Sequence, residues 1–206
     1  IKEKIQLFLK ELKLLIEKND DQIIPYFNET LASEKNNWTI FPLMVWGKEV
    51  QENCKKCPAT YEIIQSIEGV TSCAFSMLKP NTSIKPHLGD SNVMYRVHVT
   101  LESNGQLPEM GMRVKDKTID WKNGEVFAFC DAHEHEVWNN TDTNRYILII
   151  DILREPFIHK KNQICAKINA TLFWQLKFQR FYFIKHLPKF IRRAMMNATA
   201  FFIHKK

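Results

Sequence analysis

Four of the seven histidines in this 206-residue chain, His87, His98, His133 and His135, fall within 49 consecutive positions. Imidazole binds Fe, Zn, Cu or Ni, so two histidines on different strands can hold one ion in a pocket. His87 sits in Lys85-Pro86-His87-Leu88-Gly89-Asp90, at a turn opening into a strand. His135 sits in His133-Glu134-His135-Glu136-Val137, at the start of another strand, and Val137 excludes the His-Glu-x-x-His pattern of zinc proteases. Residue type alone does not choose the metal, and the same rings can be satisfied core histidines. Arg145 lies on an Ile/Leu-rich strand, where a buried guanidinium needs an anion. That anion is either a ligand carboxylate or a protein one such as Asp142 or Asp151.

These groups need strands to position them. From Thr71 to Asp151 short strands are predicted at Cys73–Leu78, Met94–Leu101, Met112–Lys115, Glu125–Cys130, Glu134–Trp138 and Arg145–Ile152, separated by Pro/Asn/Gly turn signals. Many short strands without intervening helices indicate a sandwich or small barrel. Alternation along Met94–Leu101 puts Arg96, His98 and Thr100 on one face and Tyr95, Val97, Val99 and Leu101 on the other. One polar and one apolar face suit a barrel with a polar pocket inside.

Residues 1 to about 36 read as helices. Ile5, Phe8, Leu9, Leu12, Leu15 and Ile16 fall at helical spacing, and Asp20 or Asp21 is expected to cap a second helix through Tyr26 and Leu31 with Pro25 in its first turns. Residues 37–70 read as irregular, with Trp38, Trp46 and a short helical stretch near Tyr61–Ile67. The C-terminal part reads as two helices split at Leu187-Pro188. Phe190, Ile191, Ala194, Met195, Ala198, Phe201 and Phe202 stripe the second.

A mean of 45% hydrophobic and 25% charged residues excludes disorder, and no apolar run is long enough to span a membrane. The net charge of +6 is uneven: Pro156–Lys206 holds eleven Lys/Arg, no acid and ten aromatics, leaving 18 bases against 23 acids before it. Five cysteines suggest a reducing, cytoplasmic setting. Cys54 and Cys57 read as plain thiols or one local disulfide, since no second pair completes a zinc site. The six Asn-x-Ser/Thr sequons, Asn139 among them, carry little weight in so Asn-rich a chain.

An ordered set of motifs resembles the aspartyl/asparaginyl β-hydroxylase family over residues 38–156. It comprises Trp46-Gly47 to Cys57-Pro58, Phe75-Ser76-Met77-Leu78, Pro86-His87 through Asn92 to Arg96-Val97-His98, Trp121 to Gly124-Glu125, His135-Glu136-Val137-Trp138-Asn139, Arg145 and Ile150-Asp151. The resemblance implies a mainly β fold: a double-stranded β-helix, or jelly-roll, core at about 71–152. N-terminal helices and the core would form one oxygenase domain over 1–156, and 157–206 a basic aromatic amphipathic helical tail.

The resemblance also implies an Fe(II)- and 2-oxoglutarate-dependent dioxygenase that uses O2 to hydroxylate an unactivated C–H bond, with succinate and CO2 as co-products. His87 and His135 would ligate the iron. Arg145, with Ser76, would hold the distal carboxylate of 2-oxoglutarate, and Arg96 and His98 the carboxylate nearer the metal. Many such oxygenases carry an acid two residues after the first histidine. Here that residue is Gly89, as in the family, with Asp90 one place further; the open position also permits halogenation. Ala74, Asn92, Met94 and Trp138 are the candidates for the substrate wall. Ala74 and Met94 replace bases that the family's peptide hydroxylase uses for an acidic side chain. The substrate is expected to be a peptide Asp/Asn or a lipid acyl chain. Residues 171–206 are expected to make peripheral membrane contact, or else to pack on the barrel or another copy. No recognised nucleic-acid module is present, so nucleic acid is not an expected partner. The contrasting reading is a non-catalytic barrel that binds a membrane or partner.

Overall fold

The computed structural model describes residues 1–89, 91–180 and 187–204, without the side chains of 175, 176, 178–180 and 204. Asp90 and the tail aromatics Phe181, Tyr182 and Phe183 lie outside the described residues. The chain divides into two compact units, Ile1–Arg154 and Glu155–Lys206.

The first unit is mainly antiparallel β-structure. Its strands are β1 (Ile24–Pro25), β2 (Trp38–Val45), β3 (Lys48–Glu49), β4 (Val70–Leu78), β5 (Thr82–His87), β6 (Met94–Glu102), β7 (Met110–Val114), β8 (Lys117–Ile119), β9 (Val126–Phe129), β10 (His135–Asn139) and β11 (Arg145–Leu153). One sheet runs β1-β2-β4-β11-β6-β9, with β3 on β2; the other runs β5-β10-β7-β8. From β4 onward, the β7–β8 hairpin apart, the chain alternates between the sheets in a jelly-roll-like order, so most sequence neighbours face each other across the interior.

Alternation sorts the side chains into two cores. Val97, Val99 and Leu101 of β6 and Leu148 and Ile150 of β11 turn outward and pack with Ile5, Phe8, Leu12 and Leu15 of α1 (Ile5–Glu17). Those four helix positions recur every three or four residues, which gives α1 one apolar face. Between the sheets lies a smaller cluster including Leu78, Met112, Trp121, Val137 and Ile147. The expected division of Met94–Leu101 into a polar inner and an apolar outer face is therefore present. Glu11 of α1 reaches the start of α3 (Pro58–Gln65), accepting from the amides of Ala59 at 3.0 Å and Thr60 at 2.9 Å. A carboxylate there satisfies amides that the helix itself cannot.

The expected second helix after Asp20 does not form. Ile24–Pro25 is instead the edge strand β1, where a residue lacking an N–H is tolerated. Residues 38–45, read as irregular, form β2, and a register shift between Pro42 and Met44 accommodates the proline within the ladder. Thr82–His87 is a full strand, β5, so His87 ends a strand instead of opening one. All five cysteines are free thiols, which sets aside the local disulfide. Cys54 lies within α2 (Gln51–Lys56), and Cys57 ends that helix and leads into α3; burial pushes the Cys57 thiol up to about 12.

The second unit holds α4 (Lys161–Arg180) and α5 (Lys189–His204), with Leu187-Pro188 between them. The helices pack together, and Trp174 Nε1 donates to Thr199 Oγ1 at 2.9 Å. Among the described residues no helix is long and apolar enough to cross a membrane.

Candidate active site

β10 pairs with β5 so that His135 stands opposite His87, with ring centroids 4.2 Å apart. Opposite His135 and Val137, two apart on β10, stand His87 and Ile84, three apart on β5; the irregularity therefore lies in β5 and lets His87 and Ile84 both line the cavity. Each Nδ1 lies 2.8 Å from a carbonyl oxygen two residues earlier, Lys85 for His87 and His133 for His135. A carbonyl only accepts, so each Nδ1 carries the proton and each Nε2 keeps its lone pair. Burial lowers the pKa of both rings, that of His135 to about 4 despite the His133 carbonyl. Two neutral imidazoles with preset tautomers are what a divalent metal requires of its ligands. The intervening glutamates point outward instead, where Arg113 donates Nε to Glu136 at 2.5 Å and Nη2 to Glu134 at 3.0 Å.

The cavity beneath the histidines is walled by both sheets. At its other end is Arg145, 1% exposed. Among the described residues Arg145 forms no ion pair, and its Nε has no hydrogen-bond partner. Its Nη2 donates to Ser76 Oγ at 3.3 Å, and its guanidinium carbon stands 4.7 Å from the Trp121 ring centroid. Burial alone lowers its pKa to about 9. The Ser76 hydroxyl also accepts from Trp38 Nε1 at 3.1 Å. With both lone pairs engaged, its proton is left to donate into the cavity. Trp121 Nε1 points at His98 Nδ1 at 3.4 Å, which leaves the His98 Nε2–H as a third donor. Burial, with the charges of Arg145 and Arg96, keeps His98 neutral. Arg145, Ser76 and His98 thus form a desolvated donor cluster with no protein carboxylate among them, a site shaped for an anion.

Arg96 departs from its expected role. It lines the same cavity, but its Nε and Nη2 donate to the two oxygens of Asp151 at 2.8 and 3.0 Å, and its Nη1 pairs with Asp131 at 2.8 Å. Burial opposes its charge, but the two carboxylates outweigh burial and raise its pKa. Asp151, one candidate partner for Arg145, is thereby committed to Arg96, its direct cross-strand neighbour. The Asp131 carboxylate lies 3.6 Å from His135 Nε2. Gly89, the residue without an acid after His87, donates its amide to Asp131 O at 2.8 Å.

The other expected wall residues divide. Ala74 and Met94 share strand faces with Ser76 and with Arg96 and His98, respectively. Trp138 lies on the outer face of β10, its Nε1 donating to Pro108 O, and Asn92 is solvent-exposed, its carbonyl accepting from Arg154; none of the four is among the residues that line the cavity. Trp38 and Asp131 were not singled out in the sequence as site residues, and Asp151 was weighed only as a partner for Arg145. Cross-strand register, which sequence does not show, is what sets Asp151 against Arg96. Asn139, read as a sequon, is buried and donates Nδ2 to the carbonyls of Leu78, Lys79 and Thr143, tying two loops together.

Among the described residues no group of three or more His, Cys, Asp or Glu gathers as a metal cage. The donors that are present, two imidazole lone pairs above an anion-binding cluster, fit a metal that shares its coordination with an anionic chelator. An ornithine lipid ester-linked acyl 2-hydroxylase of Rhizobium tropici is 33% identical over 122 residues, 59% of this chain and 43% of that protein. Human aspartyl/asparaginyl beta-hydroxylase is 31% identical over 126 residues, 58% of this chain and 16% of that one. The chain thus spans less than half the length of either relative. A Pseudomonas putida prolyl-4-hydroxylase structure superposes with TM-score 0.49 at 16% identity, covering 75% of this chain and 88% of that one. The aspartyl/asparaginyl beta-hydroxylase family profile matches residues 2–155, three-quarters of the sequence, and the chain belongs to that family of hydroxylases.

Proposed function

We propose that the cavity binds Fe(II) through His87 and His135 and 2-oxoglutarate through Arg145, Ser76 and His98, on a double-stranded β-helix, and that the protein is an O2-dependent hydroxylase. The observation that carries this reading is Arg145, a buried guanidinium with an orphan Nε and no ion pair among the described residues. Leaving such a charge uncompensated is costly, and a bound dicarboxylate supplies the missing partner. Bound together, Fe(II), 2-oxoglutarate and O2 supply the oxidation: one oxygen atom enters a C–H bond as hydroxyl, the other enters succinate, and CO2 leaves.

The chain's own residues do the rest. Arg145 and the Ser76 hydroxyl orient the far carboxylate, and the His98 Nε2–H faces the near one. Carbonyl contacts at Lys85 and His133 hold the two imidazoles in the ligating tautomer, and Ile147, Ile149 and Phe129 exclude water from the floor and walls.

An apolar target is favoured over an acidic one. Ala74 and Met94 bring no charge to the faces they share with Ser76 and Arg96, and Arg96 is already paired with two carboxylates. A lipid acyl chain, the substrate class named for the rhizobial relative, fits such a wall; a peptide Asp or Asn is the second reading.

The test is anaerobic titration with Fe(II) and 2-oxoglutarate, following the visible metal-to-ligand charge-transfer band. The band is expected in the wild type and absent in His87→Ala and Arg145→Ala. A folded, iron-loaded wild type without the band would overturn the reading and leave a binding module.

A further inference from the structure

We propose that the cavity-facing side of the β1–β2 edge seats one acyl chain of the substrate, with Ile24, Ile40, Pro42 and Ala74 as its floor and Tyr26 and Phe27 as its side wall. The inference rests on the reading of the cavity as a hydroxylase site and adds where the substrate lies and which residues select it.

Alternation and register decide which side chains turn inward at this edge. Phe41 and Leu43 of β2 are buried in the outer core with α1, so Ile40 and Pro42 turn to the cavity side. Ile40 stands opposite Ile24 on β1 and opposite Ser76 on β4, and Pro42 stands opposite Ala74. Ser76 lines the cavity and Ala74 shares its face, so the row continues directly into the site. Ile24 is 43% exposed, the other three are half-buried, and none of the four packs in either core. Adjacent apolar side chains left open beside a polar cavity mark a ligand groove.

The segment after β1 supplies the wall. Tyr26 N donates to Trp38 O at 3.0 Å, and the two rings stack with centroids 3.7 Å apart and planes at 16°. The ring of Phe27, 71% exposed, lies 4.3 Å from that of Tyr26. The chain then crosses to the second sheet, where Lys85 N donates to Leu31 O at 2.9 Å and Ala32 pairs with Ile84 of β5. This crossing ties the edge of one sheet to the edge of the other and bounds the floor on the Trp38 side.

Charge and shape identify the occupant. None of the six residues carries a charge. Lys85, on the strand that receives the crossing, gives its Nζ to Thr30 O at 3.0 Å, and Arg96 already holds Asp131 and Asp151. An acidic side chain would be desolvated on this floor without a counter-charge, whereas a methylene chain has no polar group to desolvate. Two strand spacings separate β1 from β4, a span of about 10 Å, which fits an extended chain better than a compact side chain.

The experiment is calorimetric titration of the full chain, under anaerobic Fe(II) and 2-oxoglutarate, with monomeric dihexanoylphosphatidylcholine, a soluble short-chain lipid. A peptide carrying Asp and Asn is titrated separately. The lipid is expected to bind and the peptide is not. Ile24→Ser/Ile40→Ser should weaken lipid binding by about tenfold or more, because the removed groups lie in the groove and in neither core. Ala74→Leu, which fills the floor, should weaken it by a similar factor. Both variants should keep the charge-transfer band and the circular dichroism spectrum. Lipid affinity equal to wild type in both variants would overturn the proposal. So would a wild type that shows the band but binds no lipid, or that binds the peptide in its place. A wild type without the band, whose lipid binding is nevertheless lost in the variants, would overturn the hydroxylase reading and support the groove.

Discussion

A Cβ on Gly89 would stand 1.6 Å from Asp131 Oδ2 and 2.1 Å from its Cγ, so the carboxylate of one residue fills the side-chain space of the other. The missing acid two residues after His87 and the acid four residues before His135 are therefore a single arrangement. Asp131 approaches the histidines from the β9–β10 connection and is held there by Arg96.

Replacement of Gly89 should be felt at Asp131. Gly89→Ala is expected to cost about 1–3 kcal/mol of stability, because a buried, ion-paired carboxylate must move. Gly89→Asp should cost more by adding a like charge. In Asp131→Gly the added methyl should be better tolerated, although the Asp131 carbonyl at 2.8 Å keeps the relief partial. Urea unfolding of the two single variants and the double variant checks this. Strictly additive costs would show that the two residues do not compete for space.

Arg145 sets function against stability. Burial lowers its pKa to about 9, well below the usual guanidinium range, so the charged form is disfavoured in the folded state. The penalty is fully present below about 9, and folding becomes more favourable as pH rises from there toward the unfolded value. Arg145→Met should therefore lose the charge-transfer band and yet stabilise the protein free of cosubstrate by roughly 1–4 kcal/mol. In the wild type, affinity for 2-oxoglutarate should fall as pH rises through about 9, where the guanidinium loses its charge. Calorimetric titration across that range gives the profile. A flat affinity would remove Arg145 from the anion site.

The residues that could be placed from sequence are those whose roles follow from their own strand. Period-two alternation along Met94–Leu101 put Arg96 and His98 inward and Val97 and Val99 outward, as the two cores require. What sequence did not show was register. Arg96 is answered by Asp151, 55 residues away, because β11 lies directly across from β6. No pattern local to either residue signals that pairing, so Arg96 read as free for a ligand. β2, within the stretch 37–70 that read as irregular, is a second case. It carries Pro42, which lacks an amide to donate, in the ladder, and a register shift beside the proline accommodates it.

Trp121 is expected to act as a positioning residue. It lies against Arg145 and points its indole N–H at His98, fixing which His98 nitrogen faces the cavity. Trp121→Phe keeps most of the ring but loses the donor. His98 is then free to adopt the other tautomer, with a lone pair toward the ligand. The expected result is about tenfold weaker 2-oxoglutarate binding, with Fe(II) affinity and circular dichroism unchanged, since the loss of one hydrogen bond is worth about 0.5–1.5 kcal/mol. Loss of iron binding would point to a broader collapse of the pocket.

The Arg96 cluster makes the opposite prediction to Arg145, because here the buried cation has carboxylate partners. Arg96→Met would leave two buried carboxylates, Asp131 and Asp151, without their shared cation. Breaking a buried pair by removing one partner costs about 3–5 kcal/mol, whereas replacing the whole cluster with groups of similar volume is often neutral. Arg96→Met alone should therefore be strongly destabilised, and Arg96→Met/Asp131→Asn/Asp151→Leu should recover most of the loss. Chemical denaturation of both variants is the measurement. A triple variant no more stable than Arg96→Met would mean that the cluster is held by shape and backbone contacts such as Gly89 N to Asp131 O, and not by charge balance.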